Sequence, residues 1–235
     1  MKEALAARLA EVRARIARAA ARAGRRPDEI TLVGVSKRQP AEAVAALVAA
    51  GLRDCGENFV QEAREKIPRV AERLRGAPPR WHFIGRLQSN KAKLVAACFD
   101  VVESVDRPEL ARALDAHAAA AGRTLEVLLQ VNVSGEAQKG GVAPEAAAEL
   151  AGAVAACRQL RLRGLMTVPR ATPEPEGVRP AFARLRELRD ALCRSGAGLT
   201  LPELSMGMSA DFEVAIEEGA TSVRVGSALF GARGG

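Results

Sequence analysis

Eight short apolar runs, each followed by a segment with helical spacing, recur along this chain, and that alternation limits the fold more than any other feature. The runs fall at 31–35, 52–55, 81–84, 99–102, 125–131, 160–166, 201–204 (interrupted by Pro202) and 222–225. Helical spacing is read over 41–50, 59–75, 89–97, 107–121 and 144–157, from the proline-bearing loop 171–180 to Cys193, and over 210–218. An amphipathic helix over 3–22, with Leu5, Leu9, Val12 and Ile16 on one face, precedes the first strand; Gly24 stops it and Pro27-Asp28 turns the chain. Repeated strand and helix units imply parallel pairing through right-handed crossovers. Eight strands in 235 residues, against about 250 in a typical barrel of this kind, predict an α/β fold: a single (β/α)8 TIM barrel over 1–235 with an extra N-terminal helix. An open, doubly wound parallel sheet is the alternative.

Hydrophobic residues make up 48% of the chain but aromatics only 3%, so the core must be aliphatic and the helices alanine-rich. The formal charge of +7 comes from 35 Lys and Arg interleaved with 28 Asp and Glu. No long basic run and no aromatic platform lie among them, which argues against nucleic acid and suits a small anionic ligand. Cys55, Cys98, Cys157 and Cys193 lie far apart with no Cys-x-x-Cys pair, and two histidines are too few for a metal site. Free thiols in a reducing compartment and no bound metal are therefore expected. The charged start, Met1-Lys-Glu-Ala-Leu5, predicts no signal peptide, and no apolar run approaches the ~18 residues of a membrane span. The expected location is the cytoplasm.

In a barrel of this kind, functional groups sit just past the C-terminal ends of the strands. Those positions hold Ser36-Lys37, Glu57-Asn58, His82 with Gly85, Asn132, Thr167, Ser205-Met-Gly-Met208 and Arg224-Val-Gly-Ser227. Each has a local explanation as well: Asn58 as a helix cap, Gly85 as a turn residue, His82 as a satisfied core histidine. Their recurrence at one end points to a site. A lysine whose stem lies among strand residues and whose amine opens at the mouth loses its proton more readily than a solvated one. A neutral amine can then form a Schiff base with an aldehyde, and Lys37 is so placed. The small residues, hydroxyls and N–H groups of 205–209 and 226–227 suit a phosphate, which barrels often bind after strands seven and eight. Strand one adjoins strand eight in a closed barrel, so the ligand suggested is an aldehyde carrying a phosphate. A Schiff-base aldolase acting on sugar phosphates would use the same two features.

Six ordered motifs narrow the choice: Thr31-Leu-Val-Gly-Val-Ser-Lys-Arg-Gln-Pro40, Gly56-Glu-Asn-Phe-Val-Gln-Glu62, Trp81-His-Phe-Ile-Gly-Arg-Leu-Gln-Ser-Asn-Lys91, Gly164-Leu-Met-Thr-Val-Pro169, Leu204-Ser-Met-Gly-Met-Ser209 and Val223-Arg-Val-Gly-Ser-Ala-Leu-Phe-Gly231. Through them, from about residue 31 to 231, the chain resembles the pyridoxal phosphate homeostasis protein family, the YggS/PROSC group. The resemblance implies a barrel similar to the N-terminal barrel of alanine racemase, binding pyridoxal 5′-phosphate without established catalysis. It implies Lys37 for the Schiff base, Ser205, Gly226 and Ser227 for the phosphate, Arg224 opposite the pyridine nitrogen, Asn58 beside the ring, and no catalytic residue. It further implies a monomer that carries the cofactor, with apo pyridoxal-phosphate enzymes as recipients. Arg86, Phe59 and Ala210 stand where the family usually has proline, tyrosine and an acidic residue. The competing function is a pyridoxal-phosphate-dependent racemase or decarboxylase. Racemisation needs proton-transfer groups on both faces of the substrate, and alanine racemase supplies one as a tyrosine from a second domain. This chain has no tyrosine and ends four residues after Gly231, so no second domain is expected, and His82 is the near-neutral substitute.

Overall fold

The computed structural model describes residues 1–136, 140–170, 172–195 and 198–231. Eight parallel strands close into a barrel in chain order: β1 (Thr31–Val35), β2 (Asp54–Glu57), β3 (Arg80–Phe83), β4 (Val101–Val105), β5 (Leu125–Gln130), β6 (Leu160–Met166), β7 (Glu203–Ser205) and β8 (Ser222–Val225). β8 closes on β1 in a register running from Thr31 opposite Ser222 to Gly34 opposite Val225. Around the barrel lie α1 (Lys2–Arg22), α2 (Ala41–Ala49), α3 (Val60–Ala71), α4 (Ala92–Cys98), α5 (Pro108–Ala120), α6 (Ala147–Ala155), α7 (Arg179–Arg194), α8 (Phe212–Glu217) and α9 (Ser227–Phe230). The closed parallel barrel is the expected fold, and the open sheet is excluded.

Two separate layers of buried side chains hold it together. Between strands and helices, the outward faces of the strands meet stripes such as Val44, Leu47 and Val48 of α2 and Leu110, Ala111, Leu114 and Ala118 of α5. Alanines let these helices approach the sheet closely. Inside the barrel, Val33, Val101, Leu128 and Met166 are buried apart from that layer. The remaining interior volume is polar, which bears on the site below.

The last strand is followed by a helix of only four residues, too short to cover the seam between β8 and β1. α1 does so instead. Its stripe of Leu5, Leu9, Val12, Ile16, Ala19 and Ala20 is buried against α8, α2 and α9. Its polar edge is tied down by Arg15 to Glu213 at 2.7 Å, Arg22 to Glu217 at 2.7 Å, and Arg8 donating to the Phe230 carbonyl at 2.8 Å. The N-terminal helix therefore serves as the barrel's eighth covering helix.

Three strands sit later in the sequence than the apolar runs suggest. β2 begins at Asp54 rather than Leu52, because Gly51 (φ +103°) ends α2 and Leu52 is spent packing against the helix layer. β4 begins at Val101: Phe99 leaves the sheet to pack edge-on against Phe83, ring centroids 5.3 Å apart, while the strand runs on through Glu103 and Ser104. β7 begins after Pro202, which has no N–H for the ladder, and ends at Ser205. The segment read as loop over 171–180 contains a 3-10 turn at Pro175–Val178 and the start of α7, and the helix read over 210–218 spans Phe212–Glu217.

Candidate functional site

Past the C-terminal end of β1 the chain makes a tight turn whose middle residue is Lys37. Strand alternation turns Val35 and Lys37 toward a cavity of about 360 Å³ at the barrel mouth, and Ser36 the other way. The turn is clamped from below. Lys66 of α3, 6% exposed, donates to the Ser36 carbonyl at 2.6 Å, to Glu57 at 2.7 Å and to Glu62 at 2.6 Å. The Ser36 hydroxyl donates to the same Glu57 oxygen at 2.7 Å, and the Arg38 N–H donates to Glu62 at 2.5 Å. Arg38 needs that bond, since its φ of +61° lies in the left-handed region that non-glycine residues seldom adopt. Burial pushes the Glu57 carboxyl up, with Lys66 and Ser36 opposing.

Opposite this turn, the segment after β7 folds back over the mouth. Gly207 (φ +91°) makes the reversal, and a Cβ there would lie 2.5 Å from the Ala215 Cβ. Asp211 accepts the Met208 N–H at 2.6 Å. This places Ser209 above the end of β8, where its Oγ accepts the N–H groups of Gly226 at 3.2 Å and Ala228 at 3.4 Å. Converging amides answered only by a neutral hydroxyl, with Ser227 beside them on the cavity wall, form a place that an anionic oxygen would satisfy more strongly.

The floor and sides carry Arg224 and Asn58. Gly85 lets the loop after β3 press onto Asn58, since a Cβ at 85 would lie 2.1 Å from the Asn58 carbonyl oxygen. No described residue hydrogen-bonds the buried Oδ1 of Asn58, a residue that lines the mouth. Arg224 is 4% exposed and donates to the Thr167 carbonyl at 2.7 Å and to the Ser205 hydroxyl at 2.6 Å. Burial weighs against the Arg224 charge, and Glu103 and Asp211 oppose that.

Five of the six residues singled out from the sequence, Lys37, Asn58, Arg224, Gly226 and Ser227, meet at this cavity. Ser205 does not. It is fully buried beneath the floor, held between Arg224 and Glu103, while Ser209 of the same motif reaches the Gly226 and Ala228 amides that follow β8. Spacing alone could not choose between the two serines. The acid of this loop is Asp211, next to Ala210, so the loop does carry a carboxylate. His82 is likewise absent from the cavity. It lies inside the barrel with Nδ1 at 2.8 Å from Glu103 and Nε2 at 3.1 Å from Asp54. Burial opposes its charge, but the hydrogen bonds to both carboxylates outweigh this and push it up to about 9.

A larger cleft of about 570 Å³ lies between α1 and α2, walled by alanines, with its Glu42 already paired to Arg73. It lacks the convergent polar groups of the barrel mouth. No helix among the described residues is long and apolar enough to cross a membrane.

Residues 7–234 match the family described as alanine racemase, N-terminal domain. A pyridoxal phosphate homeostasis protein of Pseudomonas aeruginosa is 52% identical over 229 residues, covering 97% of this chain and 96% of its own length. PipY of Synechococcus elongatus PCC7942, solved with pyridoxal phosphate bound, is similar with a TM-score of 0.84 at 36% identity, over 97% of this chain and 100% of that one. An alanine racemase of Clostridium difficile shares the fold with a TM-score of 0.70 at 16% identity, over 88% of this chain and 53% of that one.

Proposed function

The chain belongs to the pyridoxal phosphate homeostasis protein family, built on the alanine racemase N-terminal barrel, and on that premise we propose that it binds pyridoxal 5′-phosphate at the barrel mouth and holds it for delivery. The observation that carries this reading is the sharing of one cavity by Lys37 and the Ser209, Gly226 and Ser227 cradle. A volume of about 360 Å³ falls within the range of small-ligand sites. The unanswered Asn58 Oδ1 and the weakly answered amides are the features that a polar, phosphorylated ring would complete. When bound, this cofactor supplies an aldehyde for an amine and a ring that can accept electrons.

In this reading Lys37 provides the amine, with the Lys66, Glu57 and Glu62 clamp fixing the turn that presents it. Gly226, Ser227 and Ser209 hold the phosphate, Arg224 faces the pyridine nitrogen, and Asn58 lies against the ring. A guanidinium at that nitrogen disfavours its protonation and weakens the ring as an electron sink, which suits storage better than carbanion chemistry. The residue that a racemase would need on the far face is missing from the cavity wall among the described residues. His82, the substitute considered from sequence, is committed to Asp54 and Glu103 below the floor. We read the chain as a non-catalytic, cytoplasmic, monomeric carrier with apo pyridoxal-phosphate enzymes as recipients, the whole of 1–235 acting as one unit.

The test is transfer. Loaded protein is mixed with an apo pyridoxal-phosphate enzyme while a phosphatase destroys free cofactor. Recovery of the enzyme's activity under those conditions is the expected result, and none above a buffer control would reject delivery.

A further inference from the structure

Below the floor of the cavity, side chains from five strands form one continuous row of hydrogen bonds, of which the cofactor site as described uses only Arg224. Arg224 of β8 is 2.6 Å from the Ser205 hydroxyl of β7, which is 2.5 Å from Glu103 Oε2 of β4. Glu103 Oε1 is 2.8 Å from Nδ1 of His82 of β3, whose Nε2 is 3.1 Å from Asp54 of β2. All but Asp54 are at least 95% buried, and Asp54 is 9% exposed at the opposite end of the row. The interior of such barrels is normally filled by branched aliphatic side chains. A buried ionic row of this length is a weak source of stability, because removing charges from water costs several kcal/mol per ion.

With both carboxyls ionised, the donors and acceptors assign each proton in it. A guanidinium has only N–H groups to offer, so Arg224 donates to Ser205. With that lone pair occupied, the Ser205 O–H donates to Glu103. A carboxylate only accepts, so both ring nitrogens of His82 carry hydrogen and the imidazole is a cation. Two cations, His82 and Arg224, then alternate with two anions, Asp54 and Glu103. Arg224 is anchored by hydrogen bonds to the Thr167 carbonyl and to Ser205, whose orientation is set by Glu103, and its Nη1 also lies 3.8 Å from Glu103 Oε2. The same side chain lines the cavity.

We infer that Glu103 and His82 are positioning residues for the pyridine end of the cofactor, acting through the Ser205 hydroxyl on the Arg224 guanidinium. The inference rests on the reading of Arg224 given under the proposed function. It also assigns Ser205 a place in the ring-facing machinery and removes it from the phosphate site.

The experiment is equilibrium binding of pyridoxal 5′-phosphate and of pyridoxal to the full chain, in wild type and in Glu103→Gln, Ser205→Ala and Arg224→Gln. Glu103→Gln and Ser205→Ala are expected to weaken both ligands by the same factor, about tenfold, as a defect at the ring end must. In the Arg224→Gln background, Glu103→Gln is expected to cost nothing further, since coupled residues are non-additive. A general structural defect would persist in that background. Ser205→Ala deletes one oxygen and keeps the test decisive where Glu103→Gln does not fold. The inference fails if wild type binds and both variants match it, if the loss in Ser205→Ala is confined to the phosphorylated ligand, or if the Glu103 and Arg224 effects add. A wild-type chain that binds neither ligand would instead reject the cofactor reading itself, and this inference with it.

Discussion

Replacing Lys66 by methionine removes the cation of the clamp beneath Lys37 while keeping an unbranched side chain one atom shorter. The ammonium is 6% exposed, its partner Glu57 is fully buried, and no described residue hydrogen-bonds Glu57 Oε2, so the carboxylate left behind has the Ser36 hydroxyl alone. Removing one member of a buried ion pair typically costs about 3–5 kcal/mol, because the other is stranded out of water. In a chain of this size that corresponds to a fall in melting temperature of about 6–20 °C. The deficit should depend on pH with a definite sign. Burial already raises the Glu57 carboxyl in the native protein, and loss of Lys66 raises it further. The folded variant then keeps a proton that the unfolded chain has released, so its stability falls as pH rises above the ordinary carboxylate range, by up to about 1.4 kcal/mol per pH unit. Urea unfolding of the cofactor-free protein at pH 5 and pH 8 measures this. The expected result is a larger loss at pH 8, with at least about 2 kcal/mol restored by adding Glu57→Gln, which removes the stranded charge. A deficit below about 1 kcal/mol at pH 8, or a double variant no more stable than Lys66→Met, would refute the reasoning.

Other outcomes follow from the same geometry. Lys37→Ala and Lys37→Arg should both abolish the visible absorbance of loaded protein, and borohydride should fix the adduct on Lys37; an adduct on Lys91, or on Lys139, which lies outside the described residues, would refute that assignment. Ser227→Ala and Ser209→Ala should each weaken pyridoxal 5′-phosphate about tenfold while leaving pyridoxal almost unchanged, as charge-assisted hydrogen bonds are worth about 1.5–3 kcal/mol. His82, raised to about 9, should contribute stability that is fully present below the ordinary histidine range and is lost as pH climbs through about 9. The groups facing it are Asp54 and Glu103, with Arg80, Glu203 and Arg224 beyond, and a His82→Gln variant showing the same alkaline loss would overturn its assignment to His82. Loaded protein in deuterated water should exchange the α-proton of L- and D-alanine far more slowly than about 1 s⁻¹, the low end of ordinary enzyme rates.

The barrel was legible because parallel strands buried on both faces read as apolar runs and the helices between them keep their own period. The strand positions that periodicity misjudged have local causes: Leu52 packs against the helix layer, Phe99 leaves the sheet, and Pro202 cannot join the ladder, while Glu103 and Ser205 occupy strand positions that an apolar run does not mark. The site was legible as a set of strand ends. The division of labour within it was not: Ser205 and Ser209 sit four residues apart in one motif, and only the reversal at Gly207 decides which reaches the Gly226 and Ala228 amides. The clamp on Lys37 was also hidden, since Lys66 reads as one more basic residue on an amphipathic helix until α3 is seen to bury it.

The covering of the β8 and β1 seam by α1 has a kinetic consequence. Arg8 and the Phe230 carbonyl are 222 positions apart, and α8 and α9, which receive much of the apolar stripe of α1, are made about 190 residues after it. At ordinary translation rates of about 5–20 residues per second, α1 waits on the order of 10–40 s for those partners. During that interval α2 is its available neighbour. Ring closure is thus a long-range event that joins α1 to elements about 190 residues further on, and contacts of such sequence separation slow folding. A nascent chain stalled before α8 would leave Leu5, Leu9, Val12 and Ile16 only partly covered, a ready target for a chaperone or for a second unfinished copy.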